Sequence, residues 1–344
     1  MKSISFYGNT DLGKMRDNNE DAFVVQNVWD DNHLLAVVID GVGGNEGGEV
    51  AAEIAKESII NYLLKYPNGE RMELLKQAVV FANNMVLEER SKQPQYANMS
   101  CVLTAVLIEI DKRRINMAHV GDTRLYQYAS DSFVKLSHDH SMVGYREEIG
   151  DLTEQEAMNH PQRNIISKDV GSEQLDHNTD YIEVAVMDLP KHSSLLLCSD
   201  GLCDMITSSQ MREILNEDIA VNEKVDKLIT AANDAGGRDN VTVVLIECAI
   251  DDEAVMTYDE PVVEYEGDEE SDAEETEKSK KCNAKIIIPF ILTAFVFFMA
   301  GFFVGDYWGN DVISKTFDRT VVTDTNNVMD TMAYDTINSD TINK

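Results

Sequence analysis

Positive charge is scarce in this chain of 344 residues: Lys and Arg number 29 against 62 Asp and Glu, a formal net charge of −33. Nonspecific nucleic-acid binding depends on neutralising phosphates, so this balance speaks against it. Cysteine is sparse too. Cys101, Cys198, Cys203, Cys248 and Cys282 are odd in number and widely spaced, giving neither a disulfide framework nor a CxxC metal pair. They suit a reducing compartment, as small buried hydrophobes. No Arg stands six positions after any of them (those positions hold Leu107, Asp204, Ser209, Ala254 and Ile288), so a phosphate-cradling loop around a nucleophilic cysteine is excluded. The glycine-rich GVGGNEGG at residues 41–48 lacks a following Lys-Ser/Thr and is no nucleotide P-loop. The opening MKSISFYGNTD has no apolar stretch of secretory length, so no signal peptide is expected.

What is present divides into zones. Hydrophobic residues make up 43% and charged residues 26%, ordinary for a globular chain. Residues 1–250 read as one globular domain, large enough to bury a core without disulfides or a structural metal. Residues 251–285 read as an acidic linker: 251–277 hold 14 Asp or Glu and no Lys or Arg, a block that repels itself and stays extended. It ends in a basic cluster, Lys278, Lys280, Lys281 and Lys285. Then Ile286–Gly305 runs for 20 residues without a charge. At about 1.5 Å per residue such a helix spans about 30 Å, and it is apolar all round where a core helix would show a polar side. A transmembrane helix is expected, with Tyr307 and Trp308 at an interfacial belt. Residues 306–344 form a short polar tail with a repeated DTIN, expected to be disordered. The basic cluster on one flank, against Lys315 and Arg319 ten or more residues beyond the other, predicts a cytoplasmic N-terminal domain and an external tail.

Within residues 1–250, β-rich apolar runs fall at Ile4–Tyr7, Ala22–Val28, His33–Ile39, Val102–Ile110, Arg114–Val120, Arg124–Tyr128, Tyr181–Val186, Ser194–Cys198 and Val241–Ile246. Helical patterns cover Glu49–Leu64, Arg71–Arg90, Ser208–Asn216 and Asn222–Ala235. Consecutive helices followed by consecutive strands predict an α+β fold with antiparallel sheets.

The acids fall in telling places. Asp40 stands just past one apolar strand and Asp200 just past another, while Glu20-Asp21 and Asp239 stand just before strands. In an antiparallel sheet the start of one strand neighbours the end of the next, so these acids can share one rim. There they would repel one another and resist desolvation unless a cation intervened. Asp-Gly is also the strongest short hairpin signal, and each DG taken alone is more often a turn than a ligand. All-oxygen ligands favour magnesium or manganese over zinc or copper, and a two-ion site suits phosphoryl chemistry. Arg16, five residues before Asp21, offers a planar fork for phosphate oxygens.

RDNNEDA (16–22), DGVGG (40–44), GDTR (121–124), HDHS (138–141), SDGL (199–202) and GRDNVT (237–242) occur in one order over residues 1–248. Together they resemble the metal-dependent protein phosphatases of type 2C, in their bacterial branch. The resemblance implies a four-layer αββα sandwich with a dinuclear Mn2+ or Mg2+ site at one end. It implies that Asp21 holds metal-bound water, that Asp40 bridges the ions beside the Gly41 carbonyl, and that Asp200 and Asp239 complete the ligands. It likewise implies that Arg16 binds the substrate phosphate, that Asp122 serves a third, weaker ion, and that residues 142–170 form a mobile flap. One departure is Val42, where some members carry a proton-donating His; Val42 donates none. The expected activity is a membrane-tethered protein serine/threonine phosphatase in which a metal-bridging hydroxide attacks phosphorus without a phosphoenzyme. Its partners would be phosphoserine and phosphothreonine proteins, a cognate serine/threonine kinase and, through 286–305, the lipid bilayer. The other readings are a catalytically weak phosphoprotein-binding adaptor, a membrane sensor reading an external ligand through its tail, and a small-molecule phosphatase on the same fold.

Overall fold

The computed structural model describes residues 2–43 and 47–250. The acidic linker, the 286–305 segment and the polar tail lie outside the described residues. Among the described residues no helix is long and apolar enough to cross a membrane, an observation that does not bear on 286–305.

Among the described residues, ten strands form two five-stranded sheets. One runs β1 (Lys2–Asp11), β10 (Val241–Ile250), β9 (Ser193–Cys198), β6 (Arg124–Ala129) and β7 (Ser132–Lys135); every pairing is antiparallel. The other runs β2 (Asp21–Asn27), β3 (His33–Val42), β4 (Ser100–Glu109), β5 (Arg114–Val120) and β8 (Glu183–Asp188), again antiparallel throughout. Leu34, Ala36 and Val38 of β3 meet Leu195 and Leu197 of β9 and Val244 and Ile246 of β10 in a core between the sheets.

The alternate β3 residues, Leu35, Val37 and Ile39, face the other way. They pack on two helices, α1 (Gly48–Lys65) and α2 (Arg71–Lys92), through Ala51, Ala55, Ile59 and Leu63 and through Leu75, Val79, Ala82 and Val86, spaced three or four apart as one helical stripe. On the far side Leu196, Cys198, Val243 and Leu245 meet α6 (Ser208–Leu215) and α7 (Val221–Asp234). Helix, sheet, sheet, helix is thus the layering. Because both faces of each central strand are covered, these antiparallel strands read as unbroken apolar runs, the pattern usual for parallel sheets.

Local chemistry sets the ends. Glu70 caps α2, its side chain accepting from the Glu73 N–H, and Thr207 with Gln210 makes a capping box at α6. The hairpin joining β6 to β7 turns on Ser130 and Asp131, both at positive φ (50° and 65°), a mirror-image type I turn made without the usual glycine. The described residues also include three short α-helices: α3 (Met142–Glu148) and α4 (Glu154–Met158) lie within the expected flap, and α5 (Asp200–Cys203) follows β9.

Leu197 is fully buried between the sheets. Leu197→Ala is expected to destabilise the fold by about 2–5 kcal/mol through lost transfer energy and a residual cavity, read as a lower urea midpoint at unchanged slope.

Candidate active site

The register of β2 against β3 sets Asp21 directly opposite Asp40, so two carboxylates meet at one edge of the second sheet. At the first sheet Asp200 stands two residues past the end of β9 and opens α5, while Asp239 precedes β10 by two residues. The sheets are cross-linked at this end. The Ser199 hydroxyl donates to Asp21 Oδ2 at 2.8 Å, and the Thr242 hydroxyl donates to the same oxygen at 2.6 Å. Ser199 occupies the cap position of α5, yet makes no side-chain cap bond there; its hydroxyl is spent on Asp21 instead.

Arg16, Glu20, Asp40, Asp122, Asp200 and Asp239 line one cavity of about 180 Å³, with Gly41 and Val42 on its wall and Asn164 and Ile166 reaching it from the flap segment. Arg16 Nη2 lies 2.7 Å from Asp239 Oδ2. All the residues singled out from the sequence therefore converge: Asp40, Gly41, Asp122, Asp200, Asp239 and Arg16 on the cavity wall, and Asp21 beside Asp40.

Neither Asp-Gly pair is a hairpin turn. Asp40-Gly41 lies inside β3, and Asp200-Gly201 lies in the first turn of α5. Their glycines answer crowding. A Cβ on Gly41 would stand 2.2 Å from the Gly48 carbonyl oxygen, and one on Gly201 would stand 1.9 Å from that of Asn240. Only glycine lets the backbone pass so close behind an acid that faces the cavity.

Concentrating carboxylates raises their pKa values. Burial, and then the charges of Asp21, Asp200, Asp122 and Asp239, hold Asp40 well above the usual range. Burial does the same to Asp200, helped by Asp204, Asp122, Asp239 and Asp21. Burial lifts Asp21 to about 6 against the pull of the Thr242 and Ser199 hydrogen bonds. Asp122 rises to about 7 through burial and the charges of Asp139 and Asp204. Asp200 Oδ1 is buried with no hydrogen-bond partner. An unpaired buried oxygen among repelling acids fits a hard divalent cation.

Three features of the site were not singled out from the sequence. Asp204, one helical turn past Asp200, rises to about 6 through burial and ion-pairs with Arg163 of the flap segment at 2.9 Å. The GDTR and HDHS motifs are two halves of one contact: Arg124 meets Asp139 through Nη2 at 2.6 Å and Nε at 3.0 Å, while Nη2 reaches Glu147 of α3 at 2.8 Å. The pair is buried, and it braces the Asp122 loop against the flap segment. The spacing of Arg124 and Asp139 gave no hint, because they meet only once β6 and β7 fold back. Finally, His119, His140 and Glu183 come together with ligand atoms within 4.8 Å. Both nitrogens of His119 are occupied, Nδ1 by the Thr104 hydroxyl at 2.9 Å and Nε2 by the Gly121 and His138 carbonyls at 3.0 and 3.1 Å. Burial keeps this imidazole neutral, pulling it to about 3, and it serves as a tie between loops.

Comparison with known proteins agrees with this geometry. The family model described as protein phosphatase 2C matches residues 14–241. A serine/threonine phosphatase, Stp, of Listeria welshimeri is 32% identical over 243 residues, covering 69% of this chain and 93% of that protein. The solved serine/threonine phosphatase of S. agalactiae superposes with a TM-score of 0.63 at 28% identity, covering 72% of this chain and all of that one. The catalytic domain of the phosphatase PstP, solved with two manganese ions, gives 0.62 at 25% identity over 73% of this chain and 100% of its own. The chain therefore belongs to the protein phosphatase 2C family of metal-dependent serine/threonine phosphatases.

Proposed function

We propose that this chain hydrolyses phosphoserine and phosphothreonine in cytoplasmic proteins, using two Mn2+ or Mg2+ ions, while tethered to a membrane by residues 286–305. The observation that carries the chemistry is the convergence of Asp40, Asp200 and Asp239 from two sheets on one cavity that also holds Arg16, with Asp21 directly opposite Asp40. Asp21, Asp40, Asp200, Asp239 and the Gly41 carbonyl are the groups that would hold the ions, with Asp122 available to a weaker third. Once bound, the ions supply Lewis acidity and an activated water nucleophile. The rest falls to the chain. Arg16, at the cavity edge, offers its fork to the phosphate oxygens and neutralises their charge. Ser199 and Thr242 hold Asp21 in orientation across the sheet interface. Val42 lines the cavity and offers no proton to the leaving hydroxyl.

The tether rests on the sequence: an uncharged run of 20 residues behind a cluster of four lysines. The acidic linker 251–285 then spaces the domain from the bilayer, and a serine/threonine kinase at the same membrane is the natural source of its substrates.

Asp40→Ala and Asp200→Ala should each lower phosphopeptide turnover at least about 100-fold with metal present, since each removes a group that orients the ions. Arg16→Ala should mainly raise KM while calorimetry shows metal affinity little changed. Near-normal turnover in either aspartate variant would refute the assignment.

Metal-free stability should depend on pH in a defined sense. Asp21 near 6 and Asp122 near 7 lie above the model-peptide value of 3.8, so the folded chain binds more protons than the unfolded one between about pH 4 and 7. Stability in EDTA should therefore fall as pH rises through that window, and Mn2+ should restore it at pH 8. Thermal melts at pH 5 and pH 8, with and without Mn2+, check this; a metal-free melting temperature higher at pH 8 would contradict it.

Protease added to intact cells should remove a C-terminal tag and spare an N-terminal one. The reverse pattern would place the catalytic domain outside and remove cytoplasmic phosphoproteins as substrates.

A further inference from the structure

Beside the carboxylate cavity lies a second pocket of about 120 Å³, and Arg16 stands on the wall of both. The second pocket brings Arg16 together with Arg238 and with Arg163 of the flap segment. Two of its three acids are already paired. Asp204 pairs with Arg163 at 2.9 Å, Asp239 pairs with Arg16 at 2.7 Å, and Asp200 belongs to the carboxylate cluster. Arg238 is exposed and forms no ion pair among the described residues.

The two loops that carry Arg16 and Arg238 are fastened to each other. The Lys14 N–H donates to the Gly237 carbonyl at 2.7 Å. Asn240 is buried and spends its whole amide on the opposite loop: Oδ1 accepts from the Glu20 N–H at 2.8 Å, and Nδ2 donates to the Leu12 and Asn18 carbonyls at 2.9 and 3.0 Å. A Cβ on Gly13 would stand 2.1 Å from the Asp239 carbonyl oxygen, so the loops are in close contact. Two guanidinium groups are thus presented from one rigid seam, and only Arg16 is needed for the scissile phosphate.

We propose that Arg238 forms a second anion subsite, which accepts an acidic group on the substrate next to the phosphorylated residue being hydrolysed. The inference rests on the phosphoprotein reading above and deepens it, naming the preferred substrates as phosphopeptides with a neighbouring phosphate or carboxylate. A guanidinium fork recognises either group. In a protein of net charge −33, a local pair of cations discriminates among peptides by attracting an acid that the surrounding surface repels.

The test uses the full-length protein in mild detergent with Mn2+. Its substrates are phosphothreonine peptides carrying Ala, Glu, Lys or a second phosphothreonine at each of the two positions on either side. At one position an acidic residue should lower KM about five- to tenfold relative to Ala with little change in kcat. Preference for both Glu and phosphothreonine marks a general anion subsite, and preference for phosphothreonine alone marks a phosphate subsite; either supports the proposal. Arg238→Gln should bring the ratio of acidic to Ala peptide to about 1, Arg238→Lys should keep part of it, and Arg238→Glu should transfer the preference to Lys, an inversion that a merely structural role would not give. Equal kcat/KM for all peptides with the wild-type protein, or an acid preference that survives Arg238→Gln, would overturn the subsite while leaving the phosphatase reading intact. Failure of the wild-type protein to release phosphate from any of the peptides would overturn that reading, and the subsite with it.

Discussion

The mutual repulsion of carboxylates gathered at one end of two packed sheets is the constraint on which the rest of this structure turns. Asp21 and Asp40 face each other across a strand pair, and Asp200 and Asp239 arrive from the other sheet. Left without a cation, such a cluster opposes its own assembly, as the raised pKa values of Asp40 and Asp200 record. The fold tolerates it because the cores between and outside the sheets are built from buried apolar side chains. Leu35, Val37 and Ile39 on one face of β3, and Leu34, Ala36 and Val38 on the other, are all fully buried. Apolar burial holds the strands in place up to the residue where charge begins.

Polar bonds then fix what apolar packing cannot aim. Ser199 and Thr242 reach from the first sheet to a single oxygen of Asp21, so the distance between sheets and the orientation of a carboxylate are set together. Arg124, enclosed and bound to Asp139 and Glu147, does the same for the Asp122 loop and α3. Such buried charge pairs are poor sources of net stability but hold a geometry closely, since removing one partner strands the other.

The central strands were legible in the sequence because both their faces are buried. LLAVVID and SLLLCSD read as apolar runs ending in an acid; in the structure β9 stops at Cys198, two residues before Asp200, while β3 runs on through Asp40 to Val42. The acids, too, were visible from their place at strand ends. Less legible were the short elements. β7 is short, half-exposed and joined through Ser130-Asp131 instead of a glycine turn, so neither its pattern nor its turn stood out. The helix α5 has four residues, too few for any periodicity, and α3 and α4 are little longer. The Asp-Gly pairs carried an ambiguity that sequence alone does not resolve: the same dipeptide serves a tight turn or a close backbone crossing, and here the crossing decides.

The direct opposition of Asp21 and Asp40 has a consequence for folding fidelity. A strand that slips by one residue exchanges its two faces. For β2 this would turn Asp21 away from Asp40 and carry Val24 from the helix-covered face to the other. Misregistered β2 would thus lose a hydrophobic contact and the facing pair of carboxylates in the same step. Strand alignment and the assembly of the acid cluster are therefore a single event: the second sheet sets Asp21 against Asp40 only when it is in the correct register.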